Sequence, residues 1–359
     1  MGRLWDALVR KSAPSHPFLS HDWFLSWWDA FAGERRLHIV VVHEVGEPIA
    51  IAPLMRGRGR VLGIGLELIE PMLNDHTPRY EFILTARPTA ACRAIWEHLR
   101  DLDERWHVFA GRQLPSGSAT LDGLARCAAE DGYLVGRRPG DVSPYVPFSG
   151  TWARYYSTLS RNHRAKVTKG LNRLRRVADV RLETVARGDD IDAALADGFA
   201  IEAAAWKARH GTAIVSHDEL VRFYRELADR AAAAGLLRLL FLNVGGRRVA
   251  FAYALEAGNR LYVLKAGYDP EYARYSPYNL LCALVFQDGF ARRLDEYEFL
   301  GGDDPWKRRW SDHVRTHEWL YVFAPTPPMR ALYDVKCRLL PFLQRQRSFV
   351  RVRDALFAR

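Results

Sequence analysis

A stretch rich in proline and glycine, residues 137–150, divides this sequence into two halves that run through a similar order of helices and strands. Pro139, Gly140, Pro144, Pro147 and Gly150 fall within it, and such residues punctuate regular elements. The chain has 359 residues, more than one core usually organises, so two domains are expected. The expected division is 1–147, 148–325 and a basic tail at 326–359. Each of the first two units reads as α/β (α+β), a mixed and mostly antiparallel sheet flanked by helices.

In the first half, Asp22 is a candidate cap for a helix with Trp23, Trp27, Trp28 and Phe31 on one side. A β-hairpin is expected over 37–43 and 48–55, with further strands at 61–70, 79–85 and 106–111. Helices are expected over 88–103 and 121–131, and 133–135 begins a closing strand. In the second half a helix is expected from 151 or 152 into the basic segment. There Val167, Leu171 and Leu174 form an apolar stripe, with Lys166, Lys169, Arg173 and Arg176 on another face. A strand at 180–186 precedes a helix marked by Ile191, Leu195, Phe199, Ala203 and Trp206. Ser216 and Glu219 read as a capping box opening a helix that stops at Gly235. A meander follows at 236–243, 248–256 and 260–268. After a loop at 269–275, Ser276 and Pro277 read as the start of a helix carrying Leu280, Leu281, Leu284 and Val285. Short strands at 298–300 and 318–323 come next, then an amphipathic helix over 331–357 interrupted at Pro341.

The net charge of +10 is unevenly spread. Residues 161–176 hold seven Arg/Lys and no acid, and 330–359 hold eight Arg/Lys against two Asp. Such density either solvates a face or attracts phosphate, on a nucleotide, RNA or anionic lipid. Cys92, Cys127, Cys282 and Cys337 lie far apart, as suits a reducing cytosol, and a cytoplasmic location is expected. No apolar run approaches the ~20 residues that span a bilayer. Nucleophile-elbow, zinc-protease and Walker motifs are absent, and the glycines at 57–65 read as a basic turn. His313 and His317, four apart, would share a helix face, but no third ligand accompanies them and no metal is expected.

Two local words are more telling. Gly267-Tyr268-Asp269-Pro270-Glu271-Tyr272-Ala273-Arg274-Tyr275-Ser276-Pro277, then Leu280-Leu281, resembles a strand-to-helix junction of the GNAT acyltransferases. Gly301-Gly302-Asp303-Asp304-Pro305-Trp306-Lys307-Arg308-Arg309-Trp310 resembles the G-D-x-P-Y-K-x-x-W signature of a bacterial GNAT branch associated with cellulose biosynthesis. The tryptophan-rich start and Ala50-Ile51-Ala52-Pro53-Leu54 resemble its N-terminal half, and the likeness covers about residues 17–325. The doubled order also resembles the Fem-type aminoacyl transferases. Two departures stand out: the Q/R-x-x-G-x-G/A phosphate motif is absent, and Tyr278 stands where the family commonly has glycine.

The resemblance implies two tandem GNAT-like domains, with the chemistry in the second. It implies a donor arm along strand 260–268, contacting Lys265, Ala266 and Gly267, and donor phosphates at the helix start formed by Ser276, Tyr278 and Asn279 with Arg274 beside it. Asp304 is the candidate base or amine-binding carboxylate, and Lys307 its orienting partner or a phosphate contact. Tyr268 or Tyr275 is a candidate acid for a leaving thiolate, and Glu202, Trp206 and Lys207 resemble a substrate-facing helix. The implied activity is N-acyl transfer from acyl-CoA or an acyl-carrier protein to a small-molecule or peptide amine. The alternatives are aminoacyl transfer from charged tRNA and a non-catalytic scaffold docked on an anionic surface through the tail.

Overall fold

The computed structural model describes residues 2–12, 15–188, 190–204 and 213–345. Trp206, Lys207 and the tail beyond 345 lie outside them. The first half runs α1 (Gly2–Lys11), α2 (His21–Phe31), β1 (Arg36–Glu44), β2 (Glu47–Val61), β3 (Ile64–Pro71), β4 (Ile83–Leu84), α3 (Pro88–Arg100), β5 (Val108–Pro115), α4 (Ala119–Glu130) and β6 (Leu134–Pro147). The second runs α5 (Trp152–Thr158), α6 (Arg161–Arg175), β7 (Val180–Val185), α7 (Ile191–Ala204), α8 (Asp218–Ala233), β8 (Leu237–Val244), β9 (Arg247–Ala257), β10 (Arg260–Tyr268), α9 (Pro277–Arg292), β11 (Glu296–Glu298), β12 (Val314–Phe323) and α10 (Pro327–Tyr333). Beyond α10 the helical path continues to Arg345, and Pro341 sits inside it.

The strands make one sheet in the order β1-β2-β3-β5-β12-β6-β11-β10-β9-β8-β7, with β4 beside β2. Residues 137–150 are therefore not a linker. They lie largely in β6, which pairs with β12 from Leu134 to Pro144 and with β11 from Tyr145 to Pro147, and so joins the two halves of the sheet. Pro139 falls at a register irregularity, where the ladder tolerates a missing N–H. A Cβ on Gly140 would meet the Trp319 ring and the His317 carbonyl at 3.0–3.1 Å, so glycine permits the close approach of β12. β12, last in sequence, inserts between β5 and β6 of the first half. Gly57–Gly59, read as a turn, belong to β2.

Helix starts also differ from expectation. α2 is capped by Ser20, whose hydroxyl accepts from Trp23 N, and not by Asp22. The expected single helix after residue 151 is two, α5 and α6, capped by Thr151 and Ser160. Ser216 ends a short 3₁₀ turn, and α8 begins after His217 with no side-chain cap.

The largest core cluster draws on both halves. Trp23 meets Phe223 edge-on at 5.4 Å and Phe18 meets Tyr262 at 5.5 Å. A second cluster in the second half gathers Phe286, Tyr297 and Trp310 around α9. At the seam, Glu298 is fully buried and binds Arg79 and Arg315, while Glu296 binds Arg315 and Arg260. Such a network specifies one arrangement of β6, β10, β11 and β12, because a lone buried charge is costly.

Candidate functional site

β10 and β11 pair in parallel only from Arg260 to Tyr262. Beyond that β10 carries an irregularity between Val263 and Lys265 and runs on to Tyr268, while the chain after β11 turns away. Leu300 and Gly301 take left-handed φ of +54° and +58°. A cavity of about 620 Å³ opens between them. Tyr268, Lys265, Ala266 and Gly267 line it from β10, Tyr278 and Asn279 from the start of α9, and Asp304 and Lys307 from the loop after β11.

Lys307 is buried, and its ammonium is wholly engaged. It donates to the carbonyls of Leu300 (2.9 Å) and Gly302 (2.7 Å) and pairs with Asp304 Oδ2 at 2.9 Å. An ammonium has three protons, so Lys307 holds the left-handed loop and orients Asp304, with none left for a phosphate. Asp304 itself is exposed.

Tyr278 turns into the core: its hydroxyl lies 3.2 Å from that of Tyr297 and its ring stands edge-on to Trp306. Burial pushes its pKa well above the usual phenol value. The cavity stays open beside it. The start of α9 is less accommodating. Ser276 has φ +55° and makes no side-chain cap, against expectation. Pro277 has no N–H, and the amides of Asn279 and Leu280 both return to the Ser276 carbonyl. Arg274 is exposed and lies over the Tyr275 ring, and neither it nor Ser276 lines the cavity.

Glu202 is not on the cavity wall either. It is fully buried behind β10, where Oε2 accepts from Ile214 N at 3.0 Å. A Cβ on Gly267 would lie 2.6 Å from Glu202 Cα, which explains glycine at that crossing. His313 directly precedes strand β12 and His317 lies within it, so the two do not share a helix face and stand roughly 13 Å apart by strand rise. Among the described residues no group of three or more metal-ligating side chains is placed to hold an ion.

The opposite wall comes from the first half and was missed in the sequence: Asp75, His76, Thr77, Gln113 and Asp141. The 74–77 turn is self-bonded, with Asn74 N donating to Thr77 Oγ1 and His76 N to Asn74 Oδ1. An Asn-x-x-Thr stretch between strands is a turn signal, and it was the available clue. The His76 ring stacks on Phe31 and meets Tyr224 edge-on. Burial, helped by the Lys265 charge, lowers its pKa to about 4, so the imidazole is neutral at pH 7. Asp75 bridges to Arg112, whereas the Asp141 carboxylate accepts from the neutral Gln113 amide and has no ion pair among the described residues. The site therefore joins a thin strand edge to a wall carrying carboxylates and a neutral base.

Residues 161–308 match the model of the Acetyltransferase (GNAT) domain family. No curated protein matches the chain by sequence. The fold is similar to the crystal structure of FemX, at 12% identity and TM-score 0.63 over 94% of this chain and 98% of that one. It is also similar to the C-terminal domain of a protein described as a lysylphosphatidylglycerol synthetase from Agrobacterium fabrum (14%, TM-score 0.54, 93% and 94%). The L-PGS structure from Bacillus licheniformis is similar at 12% and TM-score 0.52, over 93% and 95%. At such identities the likeness establishes the fold, the GNAT-like α/β class read from the sequence.

Proposed function

We propose that the chain is an N-acyltransferase that moves an acyl group from a thioester, acyl-CoA or an acyl-carrier protein, to an amine. The observation that carries this reading is the parting of β10 from β11, which sets a donor-sized slot against an acid-bearing wall. The donor arm lies along Lys265–Tyr268. Asp141 and Asp304 hold the incoming ammonium, and neutral His76 neither repels it nor lacks a lone pair for its proton. The amine nitrogen bonds to the acyl carbon and the C–S bond breaks. Two protons leave the nitrogen: the first, lost before attack, passes to His76 and frees the amine lone pair, the second passes to Asp304 as the amide forms, and Tyr268 protonates the departing thiolate. The words at 267–277 and 301–310 support the cellulose-associated branch, with the chemistry in the second half and the first half as acceptor wall.

A second reading, aminoacyl transfer from charged tRNA, is favoured by α6. Its exposed Arg161, Lys166, Lys169, Arg173, Arg175 and Arg176 make no ion pair among the described residues. Thermal shift with CoA, acyl-CoA, acyl-carrier protein and charged tRNA separates these, because ligands that bind the folded state raise its midpoint. A rise with a thioester donor and acylation of an added amine, read by mass, are expected. A response to charged tRNA alone moves the assignment to aminoacyl transfer. No response to any donor overturns both.

A further inference from the structure

The turn Lys307–Arg309 separates two cavities. Lys307 faces the one described above. Arg308 and Arg309 line a second, of about 730 Å³, walled by Arg154, Ser160, Asp312 and His313. It shares no lining residue with the first.

The second cavity is built for an anion. Arg308 is fixed at its rim by Asp303 and by the Asp312 carbonyl. Arg154 and Arg309 have no ion pair among the described residues, and the field of Arg309 adds to burial in holding the neighbouring His163 down at about 4. Asp312 is the one carboxylate on the wall, against three guanidiniums. Ser160 caps the 15-residue α6, accepting from His163 N at 3.2 Å. The amides of Arg161 and Asn162 that follow have no partner among the described residues, and they stand at the positive end of the helix dipole. An adjoining basic helix face adds long-range attraction.

We propose that this second cavity binds a phosphomonoester, held by the guanidiniums of Arg154, Arg308 and Arg309 beside the start of α6. A monoester carries nearly two negative charges at pH 7 and three acceptor oxygens, which suits planar guanidinium donors, two of which, Arg154 and Arg309, have no ion pair among the described residues. The assignment does not depend on acyl transfer in the first cavity.

The test is calorimetric titration of the full chain with inorganic phosphate, glycerol 3-phosphate and diethyl phosphate at fixed ionic strength. The two monoester-type ligands are expected to bind saturably, and diethyl phosphate, with one charge, at least tenfold more weakly. Arg154→Gln with Arg309→Gln should weaken phosphate binding at least tenfold, while Asp304→Asn leaves it unchanged. Both arginines are exposed, so the double variant should keep its circular dichroism spectrum and thermal midpoint. If it does not fold, Arg309→Gln alone carries the comparison. Absence of saturable binding, equal binding by the arginine variants, or equal affinity for diethyl phosphate would each overturn the proposal.

Discussion

Two helices begin with serine beside arginine in this molecule, and they are not equivalent. At α9, which the family words mark as the phosphate cradle, Ser276 is left-handed and caps nothing, and Pro277 removes a donor. Asn279 turns its own amide back to Ser276. At α6, whose cations read in sequence as a solvated or RNA-facing stripe, Ser160 caps through its hydroxyl and the first two amides have no partner among the described residues. Three arginines gather beside that end. A cap residue in sequence thus does not specify how many amides remain for a ligand. The backbone conformation at the cap and the residue after it decide that.

The contrast can be attacked most strongly at the first cavity. His76→Ala should lower kcat/KM for amine acylation at least a hundredfold if the imidazole takes the proton, within the range of general-base removal. Since His76 titrates near pH 4, the wild-type profile should show no His76 limb between pH 6 and 8. Activity should fall as pH drops through about 4, where the ring becomes charged. An unchanged kcat/KM in His76→Ala would leave the first half as a passive wall. The smaller effects compare the caps directly. Ser160→Ala should cost about 1 kcal/mol in denaturant unfolding, the usual worth of an N-cap. Ser276→Gly should instead stabilise by about 0.5 kcal/mol, because it relieves a left-handed serine that forms no cap bond. Equal losses at the two serines would erase the distinction.

What was legible in the sequence follows from local rules. The meander β8–β9–β10 was placed by its Gly245-Gly246 and Gly258-Asn259 turns, and helix α9 by Pro277 and its spaced leucines. Asp304 and Lys307 were singled out by a local word, and the structure pairs them at 2.9 Å. These features depend on contacts a few residues apart. The path of β6 was hidden for the opposite reason: its prolines and glycines argue for a loop until β12, some 180 residues onward, supplies the partner whose close approach needs Gly140.

The cavity wall was illegible on the same ground. Asp75, His76 and Asp141 carry no signature in sequence, and each reaches the site only because the halves share one sheet and one core. By itself, then, the sequence determined the fold class, the run of elements from β8 to α9 and the loop that bears Asp304. Tertiary structure alone decided which residues face that carboxylate and which helix start stays open to an anion. Both depend on long-range pairing and backbone angles, to which side-chain periodicity is blind.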